Sequence, residues 1–132
     1  MIEETGYGYR LAYQGGPPAD AAAWLAELRR VVRPRSPFAV LLDLRGSRAF
    51  QPDTRELLTE ALAHCRAAGM ARAAQILDSA LTTLQAAGIA RDAGLGSPGP
   101  GDPGDVGDIV RAVDASREPG WEESILPWLH SL

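Results

Sequence analysis

Three short segments carry the side chains best suited to chemistry in this chain. Asp43-Leu44-Arg45-Gly46-Ser47, Asp78-Ser79 and Asp114-Ala115-Ser116 each set a carboxylate close to a hydroxyl. Each follows an apolar run that reads as a strand. If those strands are parallel neighbours, the aspartates and hydroxyls converge on one rim outside the carboxyl ends of the strands, where open α/β sheets bind ligands. Carboxylates gathered there could pass protons to and from a substrate. The same residue types are also ordinary turn and cap residues after a strand. Arg45, Arg48 and Arg55 lie in or just after the first of these loops. They suit an acidic partner, or a phosphate near the helix start at Asp53.

The remaining reactive types do not combine. Cys65 adjoins His64, but adjacent helical residues point about 100° apart and do not face each other. Cys65 reads as a buried, inert thiol. The chain has no GxSxG, CxxC, HExxH or Walker loop. The glycines of SPGPGDPGDVGD make no phosphate cradle, because interleaved prolines remove donors and aspartates add negative charge. Three scattered aspartates are not a metal-ligand set, so no metal and no other cofactor is expected. An enzyme would rest on Asp43, Asp78 and Asp114 alone, with neither a nucleophile nor a tuned base beside them. The expectation is a protein that binds rather than catalyses.

The elements that must position these residues follow from periodicity. Tyr7, Tyr9, Leu11 and Tyr13 alternate with Gly8, Arg10 and Ala12, a half-buried strand with an aromatic face. After Gly15 to Pro18, Asp20 caps a helix whose stripe is Trp24, Leu25, Leu28, Val31 and Val32. Phe38 to Leu44 is a continuous apolar run, as in a parallel strand buried on both sides. Asp53 and Glu56 form a capping-box-like start for a helix with Leu57, Leu58, Ala61, Leu62 and Cys65 inward, stopped at Gly69. Ala71 to Leu77 is an alanine-rich strand. Ser79 caps a helix over Ala80 to Ala93, with Leu81, Leu84 and Ile89 as its apolar face. Residues 95–108 form a long Gly/Pro/Asp loop. Ile109 to Val113 is a short strand. Pro119 opens a last helix bearing Trp121, Ile125, Trp128 and Leu129, with Pro127 distorting its final turn.

The order β-α-β-α-β-α-β-α implies an α/β fold, a single mostly parallel sheet of four to five strands with crossover helices. The 132 residues suffice for one domain with its own core. The net charge of -4 and the pI of about 5.1 disfavour nucleic acid, which wants a basic face. All 13 basic residues are Arg, a bias that GC-rich coding explains without function. One cysteine excludes an intrachain disulfide. No apolar run approaches the ~20 residues of a membrane span, and no signal pattern opens the chain. The cytoplasm of a bacterium is the expected compartment. The first strand could be an edge that pairs with a second copy, giving a homodimer.

The segment LLDLRGSRAFQPDTRELLTEAL resembles STAS domains, the fold of bacterial anti-sigma-factor antagonists. It is closer to the divergent bacterial group that is placed with the CRAL-TRIO lipid-binding fold. The shared features are a buried strand ending in Asp43-Leu44-Arg45-Gly46, a polar loop, a long helix, and a strand ending in Asp78-Ser79 before another helix. The tail ASREPGWEESILPWL is similar to that group's ending. The resemblance covers about residues 38–93 and 109–130.

It implies a non-enzymatic regulatory module that binds another protein. In the family, a serine at the helix start after this loop is phosphorylated and the complex is released. Counted from Asp43, that position falls on Pro52, with Asp53 and Thr54 just beyond it. The partner surface expected here is Arg45, Ser47, Arg48, Asp53 and Thr54, with Ser79 and Ser116 beside it. A second expectation is a carrier of a small apolar ligand, held between sheet and helix at Trp121 and Trp128.

Overall fold

A computed structural model of the chain describes residues 2–14, 18–35, 37–47, 49–95 and 109–131. The long Gly/Pro loop, beyond its first residue, and Arg48 lie outside them. The described elements are β1 (Ile2–Glu4), β2 (Gly8–Ala12), α1 (Pro18–Val31), β3 (Phe38–Asp43), α2 (Pro52–Ala67), β4 (Met70–Leu77), α3 (Ala80–Asp92), β5 (Val110–Asp114) and α4 (Trp121–His130). The sheet has five strands in the order β1-β2-β3-β4-β5. β1 pairs antiparallel with β2, and the other neighbours are parallel.

The strand order never reverses. Right-handed crossovers between successive neighbours therefore place α1, α2 and α3 on the same face. Leu25, Leu28, Leu58, Leu62 and Ile89 accordingly share one core with Tyr9, Leu11, Val40, Leu42, Ala73 and Leu77. The alternate strand residues Ala39, Leu41, Ala74, Ile76 and Val113 face the other way and meet Trp121, Ile125 and Leu129 of α4. The apolar run of β3 serves both faces, as a central strand must. Gly8 lies where the β2 backbone crowds Ala39. Its φ of +150°, and the Ala39 carbonyl where a Cβ would go, admit no other residue without a backbone shift.

Several expectations change. β1 was not foreseen, and it covers β2, so the strand expected to offer an edge to a second copy is internal. α1 starts at Pro18, which puts Asp20 inside the first turn rather than at the cap. α2 starts with Pro52 as its first residue after Gln51, whose side chain makes no cap bond; Asp53 sits inside the helix, and the capping box is not formed. Leu81 and Leu84 are 56% and 72% exposed. The inward face of α3 is Thr82, Ala86, Ile89 and Ala90. Ser79 does cap α3, accepting from the Thr82 N–H at 3.1 Å. α4 starts at Trp121, after Pro119, and runs through Pro127 to His130. Leu95, expected in the loop, is buried, and its N–H donates to the Ala90 carbonyl. No helix among the described residues is long and apolar enough to cross a membrane.

Candidate functional site

Strand parity decides which way each rim residue turns. Asp43 follows Leu41 on the α4 side of the sheet, and Arg10, paired with Leu41 across β2 and β3, lies on that side too. Asp43 Oδ1 accepts from the Arg45 backbone N–H (3.1 Å) and from Arg45 Nε (3.0 Å). Oδ2 accepts from Arg45 Nη2 (2.8 Å) and Arg10 Nη2 (3.2 Å). Burial opposes ionisation of this carboxyl, but the hydrogen bonds from Arg45 and Arg10 outweigh it and hold Asp43 below its ordinary range. The Arg45 guanidinium also lies over the Trp121 ring, 5.4 Å from its centroid. Arg45 thus ties the end of β3 to α4. Expected on the partner surface, it makes these contacts with a side chain that is 40% exposed.

The other two strand ends are also hydrogen-bonded within the fold. Asp78 accepts from the Gly46 N–H at 2.8 Å, which joins the loop after β3 to the end of β4. Gly46 permits the turn with φ of +85°. Asp114 accepts from the Ser116 N–H (3.0 Å) and hydroxyl (2.5 Å). Asp43, Asp78 and Asp114 do share one rim, because Asp43 is level with Ile76 and Leu77 with Asp114. Asp114 is bonded within its own turn, Asp78 reaches the loop after β3, and Asp43 bonds both its own loop and Arg10 of β2. Ser79 and Ser116 are cap and turn hydroxyls, and Ser47 Oγ donates to the Tyr13 carbonyl at 3.4 Å. Among the described residues, no group of three or more His, Cys, Asp or Glu side chains is placed to hold a metal ion.

On the three-helix side the same rim is open. A cavity of about 240 Å³ lies between Gln14, Gly46, Ser47, Ala49, Phe50, Gln51 and Thr54. Beside it, a groove of about 530 Å³ runs between the first turns of α1 and α2, with Tyr13, Ala21, Leu25 and Leu57 along it and Asp53, Glu56 and Glu60 on its α2 wall. Gln51 and Thr54 line both, so the two adjoin there as one crevice region. Burial, and then the Asp20 charge, push the Tyr13 hydroxyl above its ordinary pKa. The sheet has no reversal of strand order, so the crevice is built by paired helix starts rather than by a switch point. Of the expected surface, Ser47, Asp53 and Thr54 line this crevice, whereas Arg45 sits across the sheet from it.

No family model, no curated protein and no solved structure matches the chain.

Trp121 and Trp128 both lie on α4. Trp121 is buried between α4 and the sheet. Trp128 is half-buried, with the Arg72 and Arg111 guanidinium groups 5.4 and 4.4 Å from its ring centroid. Sequence reasoning passed over Arg10, Gln14 and Gln51. Arg10 has a partly readable signal, because it alternates with Tyr9 and Leu11 and so takes the opposite face, but its meeting with Asp43 depends on the β2–β3 register. Gln14 and Gln51 have none, since their place depends on how two loops meet.

Proposed function

We propose that this chain is a non-enzymatic regulatory module of STAS type, in the cytoplasm of a bacterium, that docks another protein on the crevice at Ser47, Gln51, Asp53 and Thr54. One observation carries the reading. Two adjoining cavities meet at Thr54, on the rim where the resemblance puts the partner surface. The engagement of the three aspartates supports binding over catalysis. A general base must be free to take a proton near neutral pH, whereas Asp43 is held ionised between two guanidinium groups.

The test is blockade. Thr54→Trp or Gln51→Trp fills the crevice without adding charge, and Leu84→Trp places the same bulk on the exposed face of α3. Each protein is used to recover partners from its own host. The reading expects one partner to be lost with Thr54→Trp and Gln51→Trp and kept with Leu84→Trp. Equal recovery by all of them contradicts it. The 530 Å³ groove also keeps a second reading in view, the carriage of a small apolar ligand, since its size falls within the ligand-pocket range. Native mass spectrometry of the protein from its host would then show an added mass that Thr54→Trp removes.

A further inference from the structure

The groove between α1 and α2 has a charge as well as a shape. Its floor is apolar, with Tyr13, Leu25 and Leu57 each nine-tenths buried or more and presenting only an edge to solvent. Its α2 wall carries Asp53, Glu56 and Glu60. These stand at i, i+3 and i+7, so they form one stripe along the helix, about 10 Å long at 1.5 Å per residue. Asp20, close enough to Tyr13 to raise its pKa, adds a fourth carboxylate near the same end.

Among the described residues, one cation pairs with this stripe, at Glu60. Arg29 of α1 reaches Glu60 at 3.3 Å, with both side chains more than half exposed. Arg55 bridges instead to Asp92 of α3, 3.7 Å away on the other flank of α2. Asp53 and Glu56 have no ion-pair partner among the described residues. The neighbouring groove between α2 and α3, about 480 Å³, offers a contrast. It mixes Arg55 with Glu56, Glu60 and Asp92 and has no buried apolar floor.

We infer that the α1–α2 groove receives a basic amphipathic helix of the partner protein, its apolar residues against Leu25 and Leu57 and its Arg or Lys side chains against Asp53 and Glu56. The inference rests on the docking role proposed above and adds the chemistry of the partner. Two parallel helices with a groove between them form a seat for a third helix, read by apolar anchors at helical spacing. Asp53 and Glu56, one turn apart and without an ion-pair partner among the described residues, set where its cations fall. Opposite charges steer the encounter and reject acidic competitors, which is where electrostatic complementarity acts most strongly.

The experiment uses synthetic helical peptides of roughly 18 residues, long enough to hold a helix. One carries Leu at i, i+4 and i+7 with Arg flanking that stripe. A second has Glu in place of Arg, and a third scrambles the first. Phenethylamine serves as a small cation with an apolar body. Binding is followed on the 15N-labelled full chain by amide shifts and titration. The Leu/Arg peptide is expected to shift Ala21, Leu25, Glu56 and Leu57 and to weaken with added salt. Its affinity for the Asp53→Asn/Glu56→Gln variant should fall about tenfold, and the Glu and scrambled peptides should bind at least tenfold more weakly. Shifts elsewhere or none, equal binding of the Glu or scrambled peptide, or an unchanged affinity in the double variant overturns the inference. Phenethylamine binding the groove as tightly as the peptide also overturns it, in favour of a small organic cation. The docking role is judged separately, because blockade by Thr54→Trp alters no charge. A host partner lost with Thr54→Trp but kept by Asp53→Asn/Glu56→Gln leaves docking intact and removes the basic helix.

Discussion

Replacing Asp43 with Asn tests the clamp that joins β2, the loop after β3, and α4. The carboxylate accepts four hydrogen bonds, two at each oxygen. An amide can keep an oxygen at one site and must set an NH2 group against the donors at the other. Two bonds are lost, at least one of them from a guanidinium. Hydrogen bonds to charged groups contribute about 1.5–3 kcal/mol each when shielded. Exposed ion pairs contribute roughly 0.2–1 kcal/mol. Asp43 is 13% exposed, while Arg45 and Arg10 are 40% and 38% exposed, so the pair falls between these limits. A loss of about 2 kcal/mol follows, or a fall of roughly 6 °C in Tm for a domain of this size.

The sign of the pH effect is fixed. Asp43 has its folded pKa lowered, so its contribution is fully present above the ordinary aspartate value near ~3.9. It is lost as pH falls through the folded value. Urea unfolding at pH 7 should therefore separate Asp43→Asn from the parent, and the two curves should close together below about pH 4. Equal stability at pH 7, or a gap that persists unchanged in acid, would refute the clamp.

Two further perturbations read the core. Gln75 is fully buried in β4, and neither its Oε1 nor its Nε2 meets a protein partner among the described residues. Gln75→Met, similar in volume and without unpaired polar atoms, should stabilise the fold by about 1–3 kcal/mol in urea unfolding, and a loss of stability would contradict that environment. Cys65 is fully buried, and burial pushes its thiol up to about 12. A disulfide reagent at pH 8 should leave it unmodified in the native protein and modify it once the chain is unfolded; rapid native labelling would place it at a surface.

How much of this was legible in the sequence depended on whether a signal was local. β3 declared itself by six successive apolar or aspartate-terminated positions, and α2 by its inward Leu57, Leu58, Ala61, Leu62 and Cys65. β1 gave no signal, because three residues with two glutamates have no usable period. α3 misled for a physical reason. A helix lying close on the alanine-rich β4 needs small inward side chains, so Ala86 and Ala90 face inward with Ile89, while the larger Leu81 and Leu84 are turned out. Apolar size pointed the wrong way.

The rim was legible in position but not in use. The Asp-plus-hydroxyl endings of β3, β4 and β5 do lie on one edge, because the strands are consecutive neighbours. How each rim side chain is engaged could not be read, since Arg45 bonds Asp43 two residues away but meets Trp121 only through the packing of α4. Thr54 stood out in the sequence only by its place near the helix start. In the fold it matters because two loops and two helices leave space on both sides of it.

The central claim is that a partner protein docks on the crevice around Thr54. A photoreactive benzoylphenylalanine placed at Gln51 in the host cell measures this most directly, with the same group at Leu84 as the control. The account predicts one cross-linked protein specific to Gln51, lost when Thr54→Trp is added. The same cross-links from both positions, or a Gln51 cross-link that survives Thr54→Trp, would contradict it.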